Sequence, residues 1–272
     1  MSKVMAAWTL GMMCLVTGVA RAGISSIEVS PLTTELRIAA GRAYTGTISV
    51  TNTGNDPQHI RTYCQDWALK PDGVVVFVGP GRLPNSASGW VQITPAEFDL
   101  APGNSQRVRY TVRVPDQAAQ EARTVILFEA GAQKLLLPRL PSTLIPRVGS
   151  ILYVQVGPPP PVQAKITAFE LGPDGGYLTV ENLGAEHLRF SGRLEIRSRE
   201  KLARSTELKG FVVLPPPFNI YRMRLGDEVF ADLRPGEYEV TALLDCGGPS
   251  LLGARTYIAL GPEPPGVFAS RQ

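Results

Sequence analysis

The residues able to do chemistry are few and poorly spaced for it. The chain carries two histidines and three cysteines in 272 residues. His59 and Cys64 are five apart in a stretch with strand-like alternation, so they project to opposite faces and cannot share a metal ion. His187 has no Cys or His neighbour in the sequence. The carboxylate pairs Asp227 with Glu228 and Glu237 with Glu239 fall in turns or on strand surfaces, where they read as solvated charge. No Gly-x-Ser-x-Gly elbow, His-Glu-x-x-His helix, phosphate loop or dinucleotide fingerprint is present. This pattern argues for a non-catalytic protein with no cofactor and no resident metal.

The elements that hold these residues are strands. Gly46, Ile48 and Val50 alternate with Thr45, Thr47, Ser49 and Thr51, giving one buried and one wet face. Ile60, Thr62 and Cys64 alternate with Arg61, Tyr63, Gln65 and Trp67 on the next strand. Pro71-Asp72-Gly73 turns the chain into Val74 to Val78, and Trp90 to Ile93, Arg107 to Val114, Arg123 to Ala130 and a strand ending in Ile151-Leu152-Tyr153-Val154 follow. Only Pro115 to Glu121 suits a turn of helix. Lys165 to Phe169, Tyr177 to Asn182, Leu188 to Ile196, Phe211 to Leu214, Ile220 to Leu225, Glu237 to Leu244 and Arg255 to Leu260 form a second set. Short strands between Gly/Pro turns predict an all-β fold of two tandem immunoglobulin-like sandwiches.

Two motifs recur at similar offsets, as an internal duplication would leave them. Val50-Thr51-Asn52-Thr53-Gly54 returns as Val180-Glu181-Asn182-Leu183-Gly184, and Leu100-Ala101-Pro102-Gly103 as Leu233-Arg234-Pro235-Gly236. Asn-x-Gly leaves a strand and Pro-Gly turns into the next. Leu233 to Tyr238 also predicts a tyrosine corner. Gly157-Pro158-Pro159-Pro160-Pro161 stiffens the boundary, so the expected organisation is a first domain over 23–156, a linker over 157–163, a second domain over 164–261 and a tail over 262–272. Pro215-Pro216-Pro217 adds a stiff loop to the second domain.

Lys3, the apolar run Val4 to Ala20 and the small residues of Ala20-Arg21-Ala22 predict a signal peptide over 1–22, cleaved after Ala22. The run is shorter than the roughly 20 apolar residues that span a bilayer. Cleavage removes Lys3 and Arg21 and lowers the formal charge from +3 to +1, so neither nucleic-acid binding nor membrane insertion is expected. Arg107, Arg109 and Arg113 share one face of a strand and read as a solvated outer face. Cys64 and Cys246 remain, one per domain, and are expected as two buried thiols without a bridge.

Val50 to Pro57, Trp67, Leu100-Ala101-Pro102-Gly103 and Arg123 entering an apolar strand resemble the N-terminal domain of the PapD-like periplasmic pilus chaperones. The resemblance implies a periplasmic protein that binds pilin-like subunits, hands them to an outer-membrane usher and uses no ATP. It also implies donation of the last strand of the first domain to an incomplete subunit sandwich. Leu135, Leu137, Leu140 and Leu144 stand in the donor position. Pro138, Pro141 and Pro146 are expected to remove three of the backbone N–H groups that such pairing needs. The family's carboxylate-anchoring Arg and Lys are absent from Val29 to Thr34 and from the last strand, where Arg147 is the candidate substitute. The alternative is a non-catalytic envelope scaffold with the same fold, in which these leucines belong to the chain's own core or cap.

Overall fold

The computed structural model describes residues 27–137, 140–172, 175–199 and 201–261; over 133–142 it describes the backbone alone. The expected signal peptide and the whole of the expected tail lie outside these residues. The first domain contains β1 (Ile27–Ser30), β2 (Thr33–Ile38), β3 (Ala43–Asn52), β4 (Gln58–Leu69), β5 (Val75–Val78), β6 (Val91–Thr94), β7 (Glu97–Leu100), β8 (Ser105–Arg113), β9 (Ala122–Ala130), β10 (Gln133–Leu137), β11 (Leu140–Leu144) and β12 (Arg147–Val156). The second contains β13 (Ala164–Gly172), β14 (Gly175–Asn182), β15 (Leu188–Ser198), β16 (Lys201–Val213), β17 (Ile220–Leu225), β18 (Gly236–Asp245) and β19 (Leu252–Leu260).

The first domain packs the sheet β1-β3-β8-β6 against the sheet β2-β12-β9-β4-β5, with β7 also paired to β4. The strands supply alternate residues to the space between, so Ile48, Val50, Ile60, Val108, Val112, Ile126, Phe128, Leu152 and Val154 form the core. Pro31 separates β1, which pairs with β3, from β2, which runs parallel to β12. A residue without an N–H suits the point where the chain changes sheets, and the Pro31 carbonyl accepts a bond from Ser150 Oγ at 2.7 Å. The second domain packs β13-β14-β17 against β16-β15-β18-β19 around Leu178, Val180, Leu194, Ile196, Val240, Ala242 and Leu244. No helix of the described residues is long and apolar enough to cross a membrane.

The Asn-x-Gly repeat is structural. Asn52 is fully buried; its amide donates to Asp56 O and Leu100 O at 2.8 and 2.9 Å, and its Oδ1 accepts the Gly54 N–H. Asn182 is equally buried and repeats the set with Glu186 O, Val213 O and the Gly184 N–H. The second pair of motifs is not equivalent. Leu100 to Gly103 leads into β8, which pairs with Asn52's own strand, whereas Leu233 to Gly236 leads into β18, which pairs with β15 and β19. The tyrosine corner is present, with Tyr238 Oη donating to Arg234 O at 2.7 Å.

Other expectations need correction. Pro115 to Glu121 forms no helix: one turn closes with Ala118 N–H on Pro115 O, and Glu121 is drawn into the contact with His187. The 3-10 turns among the described residues are Ser88–Trp90, which takes Trp90 out of the expected strand, and Asp227–Val229. The strand expected from Phe211 begins at Lys201, because polar residues alternate along the free edge of β16. Cys64 is half-buried against the first core and Cys246 lies in the second, so the thiols belong to separate cores. Burial pushes the Cys64 thiol up to about 11.

Candidate strand-pairing edge and interdomain cleft

The donor region predicted from sequence is one long hairpin. β9 continues into β10, and β12 is preceded by β11, with Arg147 opposite Glu129 and Gln133 opposite Leu144. Three steps on one arm, Leu144 to Arg147, face four on the other, Glu129 to Gln133, so the bulge lies on the β9–β10 arm and the β11–β12 arm keeps a regular alternation. Register places Leu137 opposite Leu140 and Leu135 opposite Ser142. The positions of Leu135, Leu137, Leu140 and Leu144 therefore share one face of the hairpin. Leu140 and Leu144 also lie in the row that further along supplies Leu152, Val154 and Val156 to the first core.

Two hydrogen bonds fix which way the backbone of this arm points. Ala130 N–H donates to Pro146 O at 2.9 Å, so even-numbered residues bond inward to the partner arm. Ile151 N–H donates to Leu32 O at 2.8 Å, so odd-numbered residues bond outward, and β2 occupies that side from Ile151 to Val156. Thr143, Ile145, Arg147 and Gly149 thus turn their N–H and C=O groups to an edge that no described strand occupies. This revises the expected cost of the prolines. Pro141 removes one outward donor, but Pro146 is an inward residue whose carbonyl is the group in use, and Pro138 lies outside the described residues. Leu144 and Ile145 are 36% and 46% exposed.

Arg147 does not stand free. Its Nε donates to Glu129 at 2.6 Å, and the same carboxylate accepts Tyr63 Oη at 2.8 Å and Arg61 at 3.2 Å. The Tyr63 hydroxyl, against the opposing cost of partial burial, and the two guanidinium groups hold Glu129 below the usual carboxylate range. Arg37 is the arginine of the first-domain N-terminal strands; it grips Glu186 through both Nη atoms, at 2.8 and 2.7 Å.

That Arg37 contact belongs to an interdomain joint which sequence reading missed. His187 stacks on Tyr153 with ring centroids 3.8 Å apart, and its Nδ1 donates to Glu121 at 2.6 Å. Both partners of that bond are closed off, with side chains 2% and 0% exposed. Its Nε2 faces Glu35 at 3.4 Å, and Arg189 Nε donates to the same carboxylate at 2.9 Å. Burial works against the Glu35 anion, but Arg189 and His187 outweigh it and its pKa is lowered. Beside this polar joint, Leu214 and Phe218 from the Pro215-Pro216-Pro217 loop pack on Trp67, Val125, Leu127 and Tyr153. The Arg123 guanidinium lies between the Trp67 and Phe218 rings at 5.7 and 5.8 Å, and none of its nitrogens has a hydrogen-bond partner among the described residues. Burial lowers its pKa. Glu121 and His187 are 66 residues apart, so no local pattern could have announced the pair.

No protein-family model and no curated protein matches the sequence. In fold the chain is similar to several solved structures. The class 5 fimbriae chaperone CfaA is 15% identical over 86% of this chain and 100% of its own, with a TM-score of 0.46. A chain of the Salmonella enterica complex of SafA pilin with the SafB chaperone is 16% identical over 88% and 98%, with a TM-score of 0.45. The Escherichia coli chaperone DraB is 16% identical over 85% and 98%, with a TM-score of 0.43.

Proposed function

We propose that this chain is a periplasmic assembly chaperone for pilus or related surface-fibre subunits, and that it acts by lending the β11–β12 edge to an incomplete subunit. The observation that carries the reading is the open run of backbone groups at Thr143, Ile145, Arg147 and Gly149, set beside a row of leucine positions that continues the first core beyond its partner sheet. An incoming subunit strand would pair with those groups, while Leu140 and Leu144 complete its apolar interior. Leu135 and Leu137 support the same face from β10, and Arg147 stands at the foot of the edge. Pairing and burial supply the driving force, so the reaction needs no ATP, and an outer-membrane usher would take over the subunit by strand exchange.

The test is recovery of periplasmic partners by the mature protein and by Leu140→Asp/Leu144→Asp at matched circular dichroism. A pilin-like subunit recovered by the wild type and lost in the double variant supports donation. Equal recovery by both, or none by either, replaces it with the non-donating envelope scaffold.

A further inference from the structure

The sheet that offers the β11–β12 edge ends on its other side at β5. Lys70 N–H donates to Val74 O at 2.9 Å, and Ala68 and Asp66 lie opposite Val76 and Val78. Even residues of β5 therefore bond to β4, while Val75 and Phe77 turn their N–H and C=O groups away from it. The segment reads Val74-Val75-Val76-Phe77-Val78, without a charge or a proline. Val75 and Phe77 are 46% and 51% exposed. Their register partners are Leu69 and Trp67, so they extend the apolar face on which the second domain already sits.

Two edges of the second domain are guarded. β16 carries Lys201, Arg204, Glu207 and Lys209. The edge of β17 is closed by the turn at the tip of the β4–β5 hairpin, where Pro71 O accepts the Arg222 N–H at 2.6 Å. Gly73 makes that turn possible: its φ is +82°, and a Cβ there would meet the Tyr221 ring. β5 has no such guard, and an open apolar edge is a template for pairing.

The geometry points to β5 as a self-pairing edge through which two copies of this chain join antiparallel about a two-fold axis at Val76. Val75 of each copy then stands opposite Phe77 of the other, and both residues present outward backbone groups, so the pairing is in phase. Opposed residues share a face, which brings both Phe77 rings and both Val75 side chains together beside Trp67 and Leu69. A second copy fits better than an unrelated strand because the segment is its own complement in length, character and hydrogen-bond phase. The contact also continues an apolar interface already closed within each chain. The joint sheet leaves Thr143 to Gly149 open at both far ends, so the inference stands or falls apart from the strand-donation reading.

The experiment is sedimentation or light scattering of the mature protein over a wide concentration range, beside Phe77→Lys and Val75→Pro. Phe77→Lys sets two cations into the contact. Val75→Pro removes an outward N–H and spares the bonds to β4. A mass rising from monomer to dimer in the wild type, with both variants monomeric and of unchanged circular dichroism, is the expected result. A wild type that stays monomeric throughout overturns the inference. So does a dimer that survives both substitutions, or one dissolved by Ile145→Pro at the opposite edge.

Discussion

Replacing either buried asparagine by alanine should unfold its own domain by a similar margin, because the two sites are built alike. Asn52 makes three bonds, two from its amide and one to its Oδ1, all at 2.8–2.9 Å and out of water. Asn52→Ala orphans two carbonyls and one N–H; at roughly 1 kcal/mol each, the cost is about 3 kcal/mol. With a urea slope of about 1–3 kcal/mol per M, the midpoint falls by roughly 1–3 M. Asn52→Asp should be worse than alanine, since a carboxylate oxygen then faces two carbonyl oxygens and a charge is buried. Trp67 and Trp90 both lie in the first domain, so tryptophan fluorescence follows Asn52→Ala, and hydrogen exchange of β14 and β15 follows Asn182→Ala. Asn52→Asp as stable as the wild type, or costs for the two alanine variants differing by more than about 2 kcal/mol, would refute the claim that one hydrogen-bond pattern sets both domains.

Arg123→Met should raise stability by about 1–3 kcal/mol, read as a higher urea midpoint, because it replaces a buried guanidinium without hydrogen bonds by an apolar chain between the same two rings. His187→Ala should lower stability by about 3 kcal/mol by leaving the Glu121 carboxylate buried without its partner, and His187→Gln should recover part of the loss, both read by urea unfolding. Asp66 is pushed up by burial but pulled lower overall by bonds from Ser86, Ser88 and the Leu83 and Arg82 N–H groups, so its folded pKa lies below its unfolded value. Its contribution is therefore present above the unfolded carboxylate pKa of about 4 and lost as pH falls through the folded value, and Asp66→Asn should flatten the stability curve on that acid limb.

The sandwich class, the Asn-x-Gly corners and the tyrosine corner were legible because each is decided within a few residues. Alternation gives the strand and Asn or Gly gives the turn, and neither needs a distant partner. Pro115 to Glu121, the stretch suited to a turn of helix, closes one turn at Pro115 to Ala118 and goes no further, and its end answers to a distant partner, since Glu121 meets His187 in the other domain. His187 itself looked isolated, since a search by spacing sees only sequence neighbours, while its partners come from β2, from the entry to β9 and from the face of β12. The Pro215-Pro216-Pro217 loop was recognisable as stiff, but its task of presenting Leu214 and Phe218 to Trp67 depends on how two sandwiches meet.

The prolines of the donor arm show how a sound local rule can lead to a wrong count. A proline removes an N–H, yet whether the loss matters depends on which side of the strand that N–H would face, and a single hydrogen bond from Ala130 to Pro146 decides the phase of the whole arm. The same phase makes a sharp prediction for Ile145→Pro. Its N–H points to the open edge, and the residue before Pro146 is already confined to extended backbone, so the fold should keep its circular dichroism and urea midpoint. One pairing bond to the client is lost, a net of about 1 kcal/mol or roughly fivefold in affinity, and the ring adds a steric barrier on the side where the client strand would lie. Titration of a purified subunit against both proteins measures the difference. An unchanged affinity would mean that the client, if it binds at all, does not use this edge, and the leucine row would then have to be explained as a cap on the chain's own sandwich.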